Sequence, residues 1–324
     1  MTFGRFLLRR AAFAVLLVVV VSSAAVLLTL LAPGDFTTES AFGENVAMVQ
    51  KRRTELGFDR PVLTQYLAWM SRALRFDFGD SLLYMRPVSD LLGERALNTG
   101  VLASAALVAA SLFGIPLGIY TGIRQRGIGV AVVRGMSLMF LSMPPLIASL
   151  AMVMIAARTG LLPAGGMVSS GAGDLSWARW LADVARHVPL PAVALSLPLA
   201  ALLERLQSQA MQRAISEPFV RAAEARGLSR QSAQLKHGWP VSLGAVLGFY
   251  GLMIGSLFSG SFIVEVVTAW PGLGRLMFDA LRARDLFLVA GCAAAGGLFL
   301  AIGTLLSDLL MAAADPRARM WRRS

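Results

Sequence analysis

Few side chains in this sequence could do chemistry, and their spacing does not bring them together. Cysteine occurs once, at Cys292 within an apolar run, so there is no disulfide framework and no thiolate ligand set; a packed, inert thiol is expected. Histidine occurs twice, at His187 and His237, both at the edges of apolar stretches. A metal site or a Ser–His pair inside such a stretch therefore lacks its parts. Ser256, Ser259 and Ser261 share one apolar stretch, with no base nearby to activate them. The two lysines, Lys51 and Lys236, do not end a Gly-x-x-x-x-Gly-Lys sequence, so the phosphate cradle of that motif is absent. The chain is not expected to be an enzyme, and no catalytic residue, metal ligand or cofactor of its own is assigned.

One charged stretch has a fuller local grammar. It runs Ser216–Pro240, between two long apolar spans. Ser216 can cap a helix, with Glu217 and Pro218 in its first turn, where a carboxylate suits the dipole and a missing N–H costs nothing. Gly227 supplies a left-handed stop, and Ser229 can cap a second helix running toward Trp239. The first helix, of about nine residues, is below the ~12–15 at which an isolated helix becomes marginal in water. It must be docked against something. Within it, Ala222, Ala223 and Ala225 permit close approach, Phe219 offers a large apolar anchor, and Arg221, Glu224 and Arg226 form a polar rim. A docking site for another protein is expected at this helix; an incidental surface helix is the alternative.

The elements that must hold this stretch are membrane spans. Of 324 residues, 56% are hydrophobic and only 15% charged, with mean hydropathy +0.65, more apolar surface than a soluble core of this length can hide. Six uncharged or nearly uncharged spans fall near 11–32, 99–123, 130–157, 188–206, 241–264 and 287–311. The first is too long for the ~7–15-residue apolar core of a cleaved signal peptide and reads as an uncleaved anchor. The fourth, with Pro189, Pro191 and Pro198, is expected to be kinked or to start irregularly. Four segments result: 1–32 with the first span, an external segment 33–97, a core of five spans at 98–311 that contains the loop 207–240, and a tail from 312 to 324. Two amphipathic helices, Glu44–Leu56 and Pro61–Leu74, are expected in the external segment. The fold class is all-α and polytopic.

Charge then fixes an orientation. With both ends on one side, the inner segments hold sixteen basic and four acidic residues, and the outer segments fourteen of each. The excess lies on one side, as expected for termini that stay in the cytoplasm. A one-sided basic fringe also explains the net charge of +11 without nucleic acid. Asp308 and Glu204 lie near inner span ends, where each is expected to reach the interface or pair with the fringe rather than mark an ion path. A self-sufficient secondary transporter or channel, the alternative function, would need a coupling-ion site near the midplane, and a membrane-embedded enzyme would need a buried base. The simplest reading is a pore-forming subunit moved by another protein docked on its cytoplasmic helix.

The residues here resemble a known family. Phe219-Val220-Arg221-Ala222-Ala223-Glu224-Ala225-Arg226-Gly227-Leu228, with Pro240 beyond it, is similar to the cytoplasmic coupling loop of type I ABC-importer permeases of the dipeptide, oligopeptide and nickel branch. Further matches follow in order: Leu56-Gly57-Phe58-Asp59-Arg60-Pro61 with Gln65-Tyr66; Phe78-Gly79-Asp80-Ser81; Gly114-Ile115-Pro116-Leu117-Gly118; Ser142-Met143-Pro144; Trp270-Pro271-Gly272-Leu273-Gly274-Arg275 with Arg284-Asp285; and Asp308 with Asp315-Pro316-Arg317. The chain departs from the pattern at Glu224, where a basic residue is usual, and at Pro218, Gly244 and Met311. The resemblance implies the inner-membrane permease of an ATP-driven importer in a bacterial plasma membrane. Its partners would be a second homologous permease, two ATPase subunits or domains that carry ATP and Mg, and an external solute-binding protein. It implies peptides, nickel or a metal chelate as substrate, and ATPase docking at Glu217, Phe219, Arg221, Ala222, Ala223, Glu224, Arg226 and Gly227.

Overall fold

The computed structural model describes residues 3–32, 36–37, 50–51, 54–55, 57–75, 77–171, 173 and 176–314. In chain order these form α1 (Phe3–Leu31), α2 (Val62–Ala73), a short hairpin of β1 (Asp80–Ser81) and β2 (Arg86–Pro87), α3 (Val88–Arg124), α4 (Ile128–Ser142), α5 (Pro145–Thr159), α6 (Trp177–His187), α7 (Pro189–Ser216), α8 (Pro218–Ala225), α9 (Arg230–Ala233), a π-helical turn at Gln234–Gly238, α10 (Trp239–Leu247), α11 (Tyr250–Val267), α12 (Leu273–Ala283) and α13 (Leu286–Ala314). The hairpin strands are antiparallel, with Asp80 opposite Pro87 and Ser81 opposite Arg86. Of the two expected external helices, α2 matches the second closely. Most of Glu44–Leu56, like the 315–317 motif and the Asp308 side chain, lies outside the described residues.

Among the described residues, five helices are long and apolar enough to cross a membrane: Leu8–Leu31, Val88–Arg124, Pro189–Ser216, Tyr250–Val267 and Leu286–Leu306. The α4–α5 pair makes a sixth when counted as one broken span. The break is not where the prolines of the fourth span suggest. α4 and α5 meet at 106°, because Met143 is extended (φ −83°, ψ 115°) ahead of Pro144. A residue before proline is steered out of the helical region, and Pro145 restarts the chain at a first-turn position, where its missing N–H costs nothing. α7 instead absorbs Pro189, Pro191 and Pro198 in one helix. α3 starts at Val88, inside the stretch expected to be external, and the expected fifth span is interrupted at Gly248 and Phe249, between α10 and α11.

The chain divides into two compact units, one of Met1–Phe6, Val101–Trp270 and Gly303–Ser324, the other of Leu7–Gly100 and Pro271–Ile302. In the first, α7 is the central element: it packs on α4, α5, α10 and α11, and Leu195, Leu199 and Leu203 share a core with Leu102, Ala106, Val246, Met253 and Trp270. Lipid tails are as apolar as leucine, so spans associate by close fit and hydrogen bonds. Gly114, Gly118 and Gly122, one per turn of α3, supply the fit. A Cβ at Gly114 would lie 2.6 Å from the Ala200 carbonyl oxygen, one at Gly118 2.6 Å from that of Glu204, and one at Gly122 2.7 Å from Met211 Cβ. Hydrogen bonds add direction: the Ser111 and Tyr250 hydroxyls meet at 2.7 Å, and Gln207 Nε2 donates to Ser242 Oγ at 2.7 Å.

In the second unit, Val26 and Leu30 of α1 pack with Trp69, Leu286 and Ala290, and the Ser23 and Tyr66 hydroxyls meet at 2.9 Å. Asp285 is fully buried at the head of α13. Its carboxylate accepts from Ser81 Oγ (2.7 Å), from the Leu83 amide (3.0 Å) and from the Leu288 amide (3.2 Å). One side chain thus caps a membrane helix and holds the turn of the β hairpin. Nearby, the Arg72 guanidinium and then the Gly79 amide hold the Asp77 carboxyl below its ordinary range.

Candidate functional site

α8 is short, and its ends explain how it persists. The expected cap at Ser216 is not made. Its hydroxyl bonds back to the Gln212 and Arg213 carbonyls (3.1 and 2.8 Å), so Ser216 closes α7 instead. Glu217 is the N-cap residue, extended at φ −67° and ψ 143°, without a side-chain cap bond. Pro218 then fixes the first turn. At the other end Gly227 is left-handed (φ 97°); its amide reaches the Glu224 carbonyl at 2.9 Å and the Leu228 amide reaches the Ala223 carbonyl at 3.2 Å. This is a Schellman motif, and its usual apolar contact is present: Leu228 packs with Val220, Ala223 and Ala233. Ser229 caps α9 as expected, accepting from the Ser232 amide at 3.3 Å. α9 does not end near Trp239. A π turn carries it into α10, widening the helix just ahead of Pro240, whose ring would otherwise strike the carbonyl four residues back.

α8 therefore has two faces. Val220 is fully buried and Ala223 is 5% exposed, turned toward α7, α9 and the π turn. Glu217, Phe219, Arg221, Ala222, Arg226 and Gly227 are exposed, Phe219 by 43%, and Glu224 is half-buried. Ala223, expected to admit a partner, is small for an internal reason. The inward anchors Val220 and Leu228 were not singled out from the sequence. The signal was there in the helical spacing of Val220 and Ala223 and in the apolar residue after Gly227.

Among the described residues, several of the other chemistry-bearing groups are accounted for locally, and one stands out. His187 is buried and its Nδ1 lies 2.8 Å from the Asp183 carbonyl oxygen; Cys292 is buried and in no disulfide; Ser256 bonds the Met253 carbonyl. The one that stands out is Glu204. Rather than reaching an interface it is 1% exposed, held by Thr121 Oγ1 at 2.5 Å. Gly118 admits α7 close enough to α3 for that contact.

The site is thus a short helix seated after the long central span of a polytopic bundle. Residues 114–320 match the family described as binding-protein-dependent transport system inner membrane component, and residues 3–79 match its N-terminal companion family. The chain belongs to this family of ABC-importer inner-membrane permeases. It is similar to a Brucella ovis protein described as a peptide permease (31% identical over 322 residues, 98% of this chain and 99% of the relative). It also resembles a Brucella abortus peptide transport system permease protein (33% over 316 residues, 97% and 98%). The oligopeptide transport system permease protein OppB of Mycobacterium bovis is 31% identical over 280 residues, 85% of this chain and 86% of its own. The chain is thus a multi-pass inner-membrane transport subunit.

Proposed function

We propose that this chain forms half of the translocation pathway of a peptide importer, and that separate ATPase subunits drive it through α8. The observation that carries the reading is the division of α8 into an inner face locked by Val220, Ala223 and Leu228 and an outer face of Phe219, Arg221, Ala222 and Arg226. A helix seated so firmly moves as a unit, and only Glu217 separates it from α7, the element around which the first unit is packed. A push on α8 is therefore delivered to the central span. ATP and Mg belong to the partner subunits; a homologous permease supplies the other half of the path, and an external binding protein supplies solute. α8 lies on the cytoplasmic side with both termini, following the charge asymmetry. Peptides are favoured over nickel because similar proteins are described as peptide or oligopeptide permeases.

The test is uptake by the complete importer in proteoliposomes. Phe219→Ala with Arg221→Glu changes only the exposed face of α8, and removal of a central aromatic anchor and a charge pair commonly costs a docked interface about 2 kcal/mol or more. ATP-driven peptide uptake should fall at least about tenfold, with insertion and folding unchanged. Wild-type uptake rates in the double variant would refute docking at α8. Uptake by this chain alone under an ion gradient would favour the secondary-transporter reading instead.

A further inference from the structure

Between α4 and α7 lies a cavity of about 300 Å³ whose lining includes Glu204, Ser208, Gln209, Gln212, Arg134 and Arg205. Glu204 and Ser208 are buried, and the two arginines are exposed. Thr121 occupies one Glu204 oxygen; among the described residues, Oε2 has no hydrogen-bond partner. Arg134, which shares the cavity lining, sends Nη2 to the Thr121 carbonyl at 3.4 Å. A carboxylate oxygen taken out of water and left bare is far more costly than one on the surface. A donor from outside the described chain would satisfy it.

The lining says which donor. A metal ion would find one carboxylate and two guanidinium groups, whereas hard cations require several oxygen ligands. A simple anion would meet the buried carboxylate. A dipolar group satisfies both ends: an ammonium on Glu204, and an oxygen on an arginine at the rim, with the Ser and Gln side chains for any intervening amide or ester. The volume is at the lower limit for ligand cavities, enough for the end of a longer molecule. We propose that the α4–α7 cavity binds a primary ammonium that carries an oxygen acceptor a few bonds away. Glu204 takes the ammonium and Arg134 or Arg205 the oxygen. A permease meets that chemistry in two sources, the N-terminus of a peptide and the ethanolamine phosphate headgroup of a lipid. The peptide source rests on the function proposed above; the headgroup source does not.

The experiment uses the full chain with its importer partners, without binding protein, in nanodiscs of phosphatidylcholine. Trialanine and Nα-acetyl-trialanine are titrated by calorimetry, and phosphatidylethanolamine retention is read by native mass spectrometry. The expectation is that trialanine or phosphatidylethanolamine binds the wild type, and that Glu204→Gln weakens that binding about tenfold or more, as expected for loss of one charge-assisted hydrogen bond. Acetylated trialanine should bind the wild type no better than trialanine binds the Glu204→Gln variant. Acetylated against free trialanine on the wild type needs no variant, so that comparison stands even if Glu204→Gln assembles poorly. The proposal is overturned if neither probe binds the wild type, the result expected should Arg134 itself neutralise Glu204, or if Glu204→Gln binds both probes unchanged. Peptide uptake is decided separately: its absence in the wild type sinks the peptide reading, while lipid retention that depends on Glu204 still supports the site.

Discussion

Asp285 shows how much a single buried acid can organise. Its carboxylate receives one hydroxyl and two amide hydrogens from two elements far apart in sequence. Removing it strands three donors, two of them buried and one partly buried, each worth about 1 kcal/mol or more. Asp285→Ala should therefore lower stability by about 3 kcal/mol, measured by denaturant unfolding in detergent micelles, with faster amide exchange at Leu83 and Leu288. A loss below about 1 kcal/mol would mean that water replaces the carboxylate, contrary to the burial. The Arg284-Asp285 pair was visible in the sequence only as part of a resemblance. That it joins the hairpin turn to the head of α13 depends on a contact across 204 residues.

Among elements, the α3–α7 pair decides whether the first unit can form. Gly114, Gly118 and Gly122 recur every fourth residue, and at Gly118 the atoms in the way are the Glu204 carbonyl oxygen and Gln207 Cβ, neither of which can rotate aside as the end of a flexible side chain can. Gly118→Ala should cost about 1–3 kcal/mol through overpacking, and Gly118→Leu should prevent accumulation of folded protein. Gly135→Ala, on a helix where a new Cβ meets nothing within 4 Å, should be neutral or slightly stabilising through helix propensity. Thermal midpoints of the purified variants check the contrast; equal shifts at 118 and 135 would remove the close-packing argument. α8 is a different kind of element. Its eight residues survive by a proline at one end, a Schellman stop at the other and an apolar seat beneath.

For the whole molecule, the expectation that can be checked most directly is its orientation. Cys292, the single native cysteine, is 2% exposed, so labelling background should be low. A cysteine introduced by Arg221→Cys should react with a membrane-impermeant maleimide only in inside-out vesicles, whereas Met85→Cys, at a residue 83% exposed on the hairpin, should react only in intact spheroplasts. The reverse pattern would invert the topology and place α8 where no cytoplasmic ATPase could reach it.

By itself the sequence determined what is local or additive. Hydropathy and length gave membrane spans because a bilayer solvates apolar side chains one segment at a time, and summed charge gave an expected sidedness for the same reason. The stop at Gly227 and the cap at Ser229 were legible because each uses backbone groups only a few residues away. Three things required the tertiary structure. The 106° break fell at Met143–Pro145, where Met143 is extended ahead of two prolines, while the prolines of α7 stay within one continuous helix. Ser216 closed α7 instead of opening α8, because two helices competed for one hydroxyl. Glu204, placed near a span end by its number, became a buried carboxylate beside a cavity once the glycines of α3 let α7 approach. Its environment is set by neighbours more than eighty residues away, and no reading of its own stretch contains them.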